Sequence, residues 1–362
     1  MAAARLPSLT GLRFVAAVMV FGFHLRNENA ILHPRLRQWV ETVFGLGLTG
    51  VGFFFVLSGF VLAWSARPEE PARAFWRRRA ARIWPNHLVM AAVVVVVGLK
   101  LRFLPPLEHG PTLANLALVQ CWKPDQRWYF SLNSPSWSLS CEAFFYLMFP
   151  CWHGLLRRLP GRALLPAAVL LVGAVWAVPA VVWQVAPAQT PTTWWIIYYL
   201  PLTRCAEFLL GIVLALAVRA GRFPPVPFPV AAAVTVASYQ IATRHLPWPL
   251  SIVAGTVAGF ALLVPAAVLA DLRGRRTVIG NRLFVWLGDR SFALYLVQYP
   301  VIAGGHRLLA RSGHGALHGT AALAAFTAAF ALSLLLAALL HACVETPAYR
   351  LLGQGGQAGR RV

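Results

Sequence analysis

Ten apolar runs follow one another along this chain, near 9–27, 44–65, 84–104, 136–156, 163–184, 201–218, 228–243, 249–270, 284–304 and 320–343. Most come close to the ~20 residues an α-helix needs to cross a bilayer. That succession leaves little choice of fold. Inside lipid each backbone N–H and C=O must find its partner within the spanning segment or a closed barrel, and runs of this length form helices. The sequence is 59% hydrophobic, 12% charged and carries 14 Trp, too apolar for one or two soluble domains. The expected fold is all-α, a polytopic membrane protein with about ten transmembrane helices.

The formal net charge is +21, yet the arginines sit in short clusters between apolar runs, where an orientation signal belongs, and nucleic acid is not an expected partner. With the N-terminus inside, 21 of the 32 basic residues fall on inner segments. This positive-inside bias gives ten helices with both termini cytoplasmic, in the cell membrane. The first run has Arg5 ahead of it, as a signal peptide does, but Arg13 interrupts it and Arg26-Asn27-Glu28 is no small-residue cleavage site, so it is read as retained. The 5 cysteines are widely spaced and include no CxxC pair, which indicates neither zinc nor a disulfide framework. The transmembrane domain is expected over 1–350 and a disordered cytoplasmic tail over 351–362. The four prolines of 222–229 read as a stiff connector, and no internal repeat is visible. In the long connection 105–135, the apolar piece Leu113 to Trp122 is too short to cross; it is a re-entrant segment, an interfacial helix or a structured loop.

Ionisable residues inside such runs are costly and mark functional sites by default. The first run holds Arg13 and His24. Eleven residues at 100° each return the two to within about 20° of one face, ~16 Å apart along the axis. Four arginines in six positions, Arg77, Arg78, Arg79 and Arg82, precede the third run. Arg78 and Arg79 share a helix face with Arg82 and suit a polyanion. The fourth run places Ser138, Glu142 and Tyr146 four apart on one face, with Glu142 ~8 Å below the outer helix end and at a depth similar to His24. A carboxylate beside the imidazole would fix its tautomer and suit it to act as a base. Arg204 and Glu207 are spaced to pair with each other. Ser291, Tyr295 and Gln298 form a polar stripe that lines a pocket or joins helices. His87, His153 and His341 are expected near inner helix ends, in solvated or interfacial positions.

Taken in order, Leu9-Thr-Gly-Leu-Arg13 to His24, Phe54-Phe-Val-Leu-Ser-Gly-Phe60, Arg77 to Pro85, Trp137-Ser-Leu-Ser-Cys-Glu142, Glu207-Phe-Leu-Leu-Gly211, Trp286-Leu-Gly288 and Val344-Glu-Thr-Pro347 resemble the integral-membrane acyltransferase-3 family. The resemblance covers nearly the whole chain. It implies transfer of an acetyl or short acyl group from acyl-CoA to a hydroxyl, on a ten-helix core without metal or bound cofactor. By motif, His24 matches the family's catalytic histidine and Arg13 the arginine before it, Arg79 and Arg82 match a pair implicated in acyl-CoA use, and Glu142 matches the acid of its motif. Arg13, Arg78, Arg79 and Arg82 are the expected donor-phosphate contacts, and Ser138, Tyr146, Tyr295 and Gln298 the expected acceptor contacts. The chain departs from the family pattern at Ala143, where many relatives carry a second acid, and at Gln298-Tyr299, where His-Trp is frequent. The Ser-Cys-Glu-Ala-Phe-Phe-Tyr variant is similar to an actinobacterial subset that includes macrolide acyltransferases and envelope-glycan acetylases, so the expected acceptor is a glycan or a macrolide. The alternative is a transporter or flippase whose buried charges form a substrate path.

Overall fold

The computed structural model describes residues 6–27, 34–67, 70–104, 106–312 and 319–353, so 354–362 of the expected tail lie outside the described residues. The described residues are helical and contain no strand. In chain order the helices are α1 (Pro7–Asn27), α2 (Pro34–Phe44), α3 (Thr49–Ser65), α4 (Ala72–Leu101), the short α5 (His109–Leu116) and α6 (Trp137–Leu156). Then come α7 (Gly161–Val185), α8 (Pro201–Arg219), α9 (Phe228–His245), α10 (Val257–Leu272), α11 (Arg282–Asp289), α12 (Ser291–Arg311) and α13 (Gly319–Leu340).

Each expected apolar run is helical over most of its length. Among the described residues six stretches are long and apolar enough to cross a membrane: Pro7–Arg26, Arg37–Ser65, Ala72–Leu101, Gly161–Val185, Pro191–Arg219 and Thr320–Leu352. The run 249–270 is not one continuous helix. A turn over 252–256 precedes α10, with Gly255 pressed against Ala242 where a side chain would collide. The run 284–304 is likewise divided at Arg290, between α11 and α12.

The chain divides into two compact units. The first comprises Met1–Ala16, Leu48–Pro68 and Cys141–Asp289. Its centre is the crossing of α3 and α8. A Cβ at Gly59 would overlap the Phe208 carbonyl, and one at Gly211 the Val56 carbonyl. Small residues thus let the two backbones touch, which is how helices associate where no water drives them together. Around the crossing Phe145 packs on Phe55 and Phe208, with ring centroids 5.1 and 5.0 Å apart. The start of α1 is tied down by Ser8, whose backbone N–H donates to Asp271 Oδ2 at 2.9 Å and whose hydroxyl meets Thr277 at 2.6 Å.

The second unit comprises Ala17–Gly47, Glu69–Ser140 and Arg290–Val362. Phe21, Leu25, Val40, Phe44 and Ile302 form an apolar cluster there, with Phe326 and Phe330 of α13 closing on it. The connection after α4 doubles back. His87 Nε2 lies 2.9 Å from the Asn115 carbonyl and Trp84 Nε1 donates to the Leu116 carbonyl at 3.2 Å. His87 and Trp84 precede the last residue of α4 by roughly 21 and 25 Å of helix rise. Leu113 to Trp122 thus packs back against the middle of α4 and does not extend away from it. The segment is held by protein through its amide nitrogens: Asn115 Nδ2 donates to the Ser131 carbonyl and the Ser136 hydroxyl, and Gln120 Nε2 donates to the Ser136 carbonyl, while the amide oxygens of both have no partner among the described residues. Pro135 to Ser140, at the start of α6, are buried rather than at an exposed outer end.

Candidate active site

The residues singled out by sequence sit in a few polar clusters, each inside one unit. In the first unit, Tyr146 donates from its hydroxyl to Glu142 Oε2 at 3.1 Å, one helical turn away on α6, and meets Ser58 Oγ of α3 at 3.2 Å. All three are half-buried. Arg13 of α1 is also half-buried. Arg204 and Glu207 of α8 pair as their spacing required: Nε to Oε2 at 2.7 Å and Nη2 to Oε1 at 3.0 Å, with both side chains fully buried. The guanidinium also packs over Phe55 and Tyr198 and donates to the Tyr198 carbonyl. Gly52 leaves room for Glu207, since a Cβ there would strike Oε1. A bidentate pair this deeply buried holds helices.

In the second unit, the arginines ahead of the third apolar run are not all free to take phosphate. Arg78 is ion-paired with Glu70. Arg82 is ion-paired at 2.9 Å with Glu345, a fully buried carboxylate that also accepts from Asn86 Nδ2 at 3.1 Å and lies 3.3 Å from His341 Nδ1. His341 to Glu345 form a π-helical turn at the end of α13, a local widening frequent at functional sites. Arg79 stacks on Phe75 at 5.8 Å, and its Nε has no hydrogen-bond partner among the described residues.

His24 lies edge-on to Tyr299, with ring centroids 6.0 Å apart. Its Nδ1 is buried and makes no hydrogen bond to a described residue. Ser138 and Tyr295 come together, Oγ to OH at 2.8 Å, and Tyr295 also donates to the Pro135 carbonyl at 2.9 Å. This part of the polar stripe joins helices. Gln298 is fully buried, donates to the Tyr295 carbonyl at 3.2 Å and keeps its amide oxygen without a partner among the described residues.

Of the three other histidines, His153 and His341 lie at helix ends and are partly exposed, as expected, and one placement needs correction. His87 is buried at the middle of α4, because the helix begins at Ala72, well before the apolar run does. His341 faces Glu345, and His153 stacks on Phe149 at 5.2 Å. Two further polar residues belong with the clusters and were not singled out. Ser58 was one hydroxyl in an apolar run, and Glu345 one carboxylate in a motif at the end of another. The signal that could have found both is the one that found Glu142, a polar side chain where lipid-soluble sequence is expected.

Comparison with known proteins identifies the family. The model of the acyltransferase domain of the acyltransferase-3 type matches residues 6–342. The chain is 40% identical to acyltransferase MdmB of Streptomyces mycarofaciens, over 97% of this chain and 93% of that protein. It is 27% identical to peptidoglycan O-acetyltransferase OatA of Listeria monocytogenes and 28% identical to the putative peptidoglycan O-acetyltransferase YrhL of Bacillus subtilis. In those two matches it aligns over 82% of its own length but spans only 49% and 48% of theirs. No solved structure matches it. With the family model running from the start of α1 to the end of α13, and the motif residues gathered into buried polar clusters on apolar helices, the chain belongs to the acyltransferase-3 family of membrane O-acyltransferases.

Proposed function

We propose that this protein moves an acetyl or other short acyl group from acyl-CoA to a hydroxyl of a sugar-containing acceptor, an envelope glycan or a macrolide-type metabolite, with His24 as general base. The observation that carries the reading is the state of His24: an imidazole within an apolar helix whose Nδ1 is not consumed by any hydrogen bond to a described residue. A satisfied structural histidine would have spent that nitrogen. The base takes the proton of the acceptor hydroxyl as its oxygen attacks the thioester carbonyl. The C–S bond then breaks, and the same proton passes to the departing CoA thiolate. Transfer through an acyl-histidine is the less favoured course.

In this reading the CoA phosphates meet the cytoplasmic end of α4. Arg79 supplies a guanidinium whose Nε has no hydrogen-bond partner among the described residues, Arg82 is held in orientation by Glu345, and Arg78 adds charge; Arg13 is the remaining arginine that the resemblance assigns to the donor. Glu142, held by Tyr146, is the second catalytic residue of the reading. The acceptor side is drawn from Ser138, Tyr146, Tyr295 and Gln298. The reading includes ten spanning helices with both termini cytoplasmic, in the cell membrane, and the names of the peptidoglycan relatives support a hydroxyl on a glycan as the acceptor.

The test is CoA release from acetyl-, propionyl- and isovaleryl-CoA by the full chain in detergent, with a peptidoglycan disaccharide or a glycosylated macrolide, comparing wild type with His24→Ala. Acceptor-dependent release that falls at least about a hundredfold in the variant is expected for loss of a general base. Equal release from the two proteins removes His24 from the chemistry.

A further inference from the structure

We propose that Ser58 is a recognition point for a hydroxyl of the acceptor, given its direction by a one-way chain of hydrogen bonds through Tyr146 to Glu142. The proposal rests on the acyl-transfer reading above and names a residue which that reading does not use.

The argument begins with which face of α3 is accessible. From Thr49 to Ala63 nearly every residue is buried, and those that are not, Phe54, Ser58 and Val61, continue to Ser65 as a single stripe at spacings of four, three and four. Ser58 is the polar centre of that stripe. A serine or threonine inside an apolar helix ordinarily turns its hydroxyl back to the carbonyl four residues earlier. Ser65, Thr235, Ser238, Thr243 and Thr327 do so here. Ser58 does not; its hydroxyl meets Tyr146 OH at 3.2 Å instead.

The direction of the protons follows from the far end. Tyr146 donates to Glu142 Oε2 at 3.1 Å, and that contact takes its single proton. The phenolic oxygen is then left to accept, and Ser58 must donate to it. With its one proton committed, Ser58 presents only lone pairs along the accessible stripe. Such a group recognises an O–H and rejects a carbonyl or ether, which is the discrimination a polyol acceptor allows. Each bond in the chain polarises the next and holds the serine in one orientation.

The experiment is steady-state transfer from acetyl-CoA by the full chain in detergent, with the peptidoglycan disaccharide or the glycosylated macrolide as acceptor, varying donor and acceptor separately. The proteins compared are wild type, Ser58→Ala, Ser58→Thr, Tyr146→Phe and the Ser58→Ala/Tyr146→Phe double variant. Ser58→Ala is expected to raise the acceptor KM about three- to tenfold, the loss of one neutral hydrogen bond, and to leave the donor KM unchanged. Ser58→Thr keeps the hydroxyl and restores the acceptor KM. Tyr146→Phe raises the acceptor KM as well, and the double variant is no worse than the poorer single one, because both remove the same directed chain. An unchanged acceptor KM in Ser58→Ala, a Thr variant as impaired as Ala, or a donor KM that rises in step overturns the proposal while leaving acyl transfer standing. Absence of acceptor-dependent CoA release in the wild type overturns the acyl-transfer reading and this recognition point together.

Discussion

Glu207→Leu strands a cation where it has no escape. The pair it breaks is bidentate, at 2.7 and 3.0 Å, and both side chains are almost fully excluded from solvent, at 1% and 2% exposure, so salt and water do not screen it. Removing one partner of such a pair costs about 3–5 kcal/mol, since the other charge stays buried without compensation. Arg204 cannot lose its proton, and the Phe55 and Tyr198 rings at 5.2 and 4.7 Å keep its head from reaching water. At roughly 2 °C per kcal/mol for a chain of this size, the unfolding midpoint falls by about 6–10 °C. Arg204→Met alone is milder, because a stranded carboxylic acid can take up a proton. The Arg204→Met/Glu207→Leu double variant replaces the pair by apolar groups and recovers to within about 2 °C of wild type. The assay is thermal unfolding of the full chain in detergent, followed by tryptophan fluorescence at two heating rates so that irreversible loss is separated from stability. A Glu207→Leu variant within 2 °C of wild type, or a double variant as unstable as Glu207→Leu, refutes the reasoning.

Two other outcomes follow from the packing. Glu345→Gln leaves Arg82 without its carboxylate and is expected to raise the acyl-CoA KM about three- to tenfold with the acceptor KM unchanged, read in the same CoA-release assay. Gly211→Val drives a side chain into the Val56 carbonyl and is expected to destabilise by at least the ~1–3 kcal/mol of an overpacked core, a fall of about 2–6 °C or more in the unfolding midpoint, whereas Gly154→Ala, which meets nothing within 4 Å, holds or raises it.

Local spacing was the part of the site that sequence made legible. Arg204 and Glu207 lie three apart on one helix, and Glu142 and Tyr146 four apart, so helical geometry alone brought them together. The Arg82–Glu345 pair joins residues from opposite ends of the chain, and no periodicity connects them. His87 was misplaced for a different reason. The arginine-rich stretch before the third run has no apolar pattern, so the helix seemed to start with the lipid-soluble residues, while it extends back to Ala72 and leaves His87 in its middle. The helical class followed from hydropathy, which reports burial of backbone. The breaks ahead of α10 and at Arg290 arise from contacts of single residues, and hydropathy averages over them.

The segment that returns along α4 bears on how the chain is threaded through its membrane. A stretch that dips inward and comes out again on the side it left adds apolar length without adding a crossing. Reporter fusions placed at Leu104 and at Ser131 should therefore lie in the same compartment, although Leu113 to Trp122 stands between them. Asn115 and Gln120 find Ser136 only after the beginning of α6 has been made, so the segment's seat is occupied late, by a neighbour that must first emerge from the ribosome.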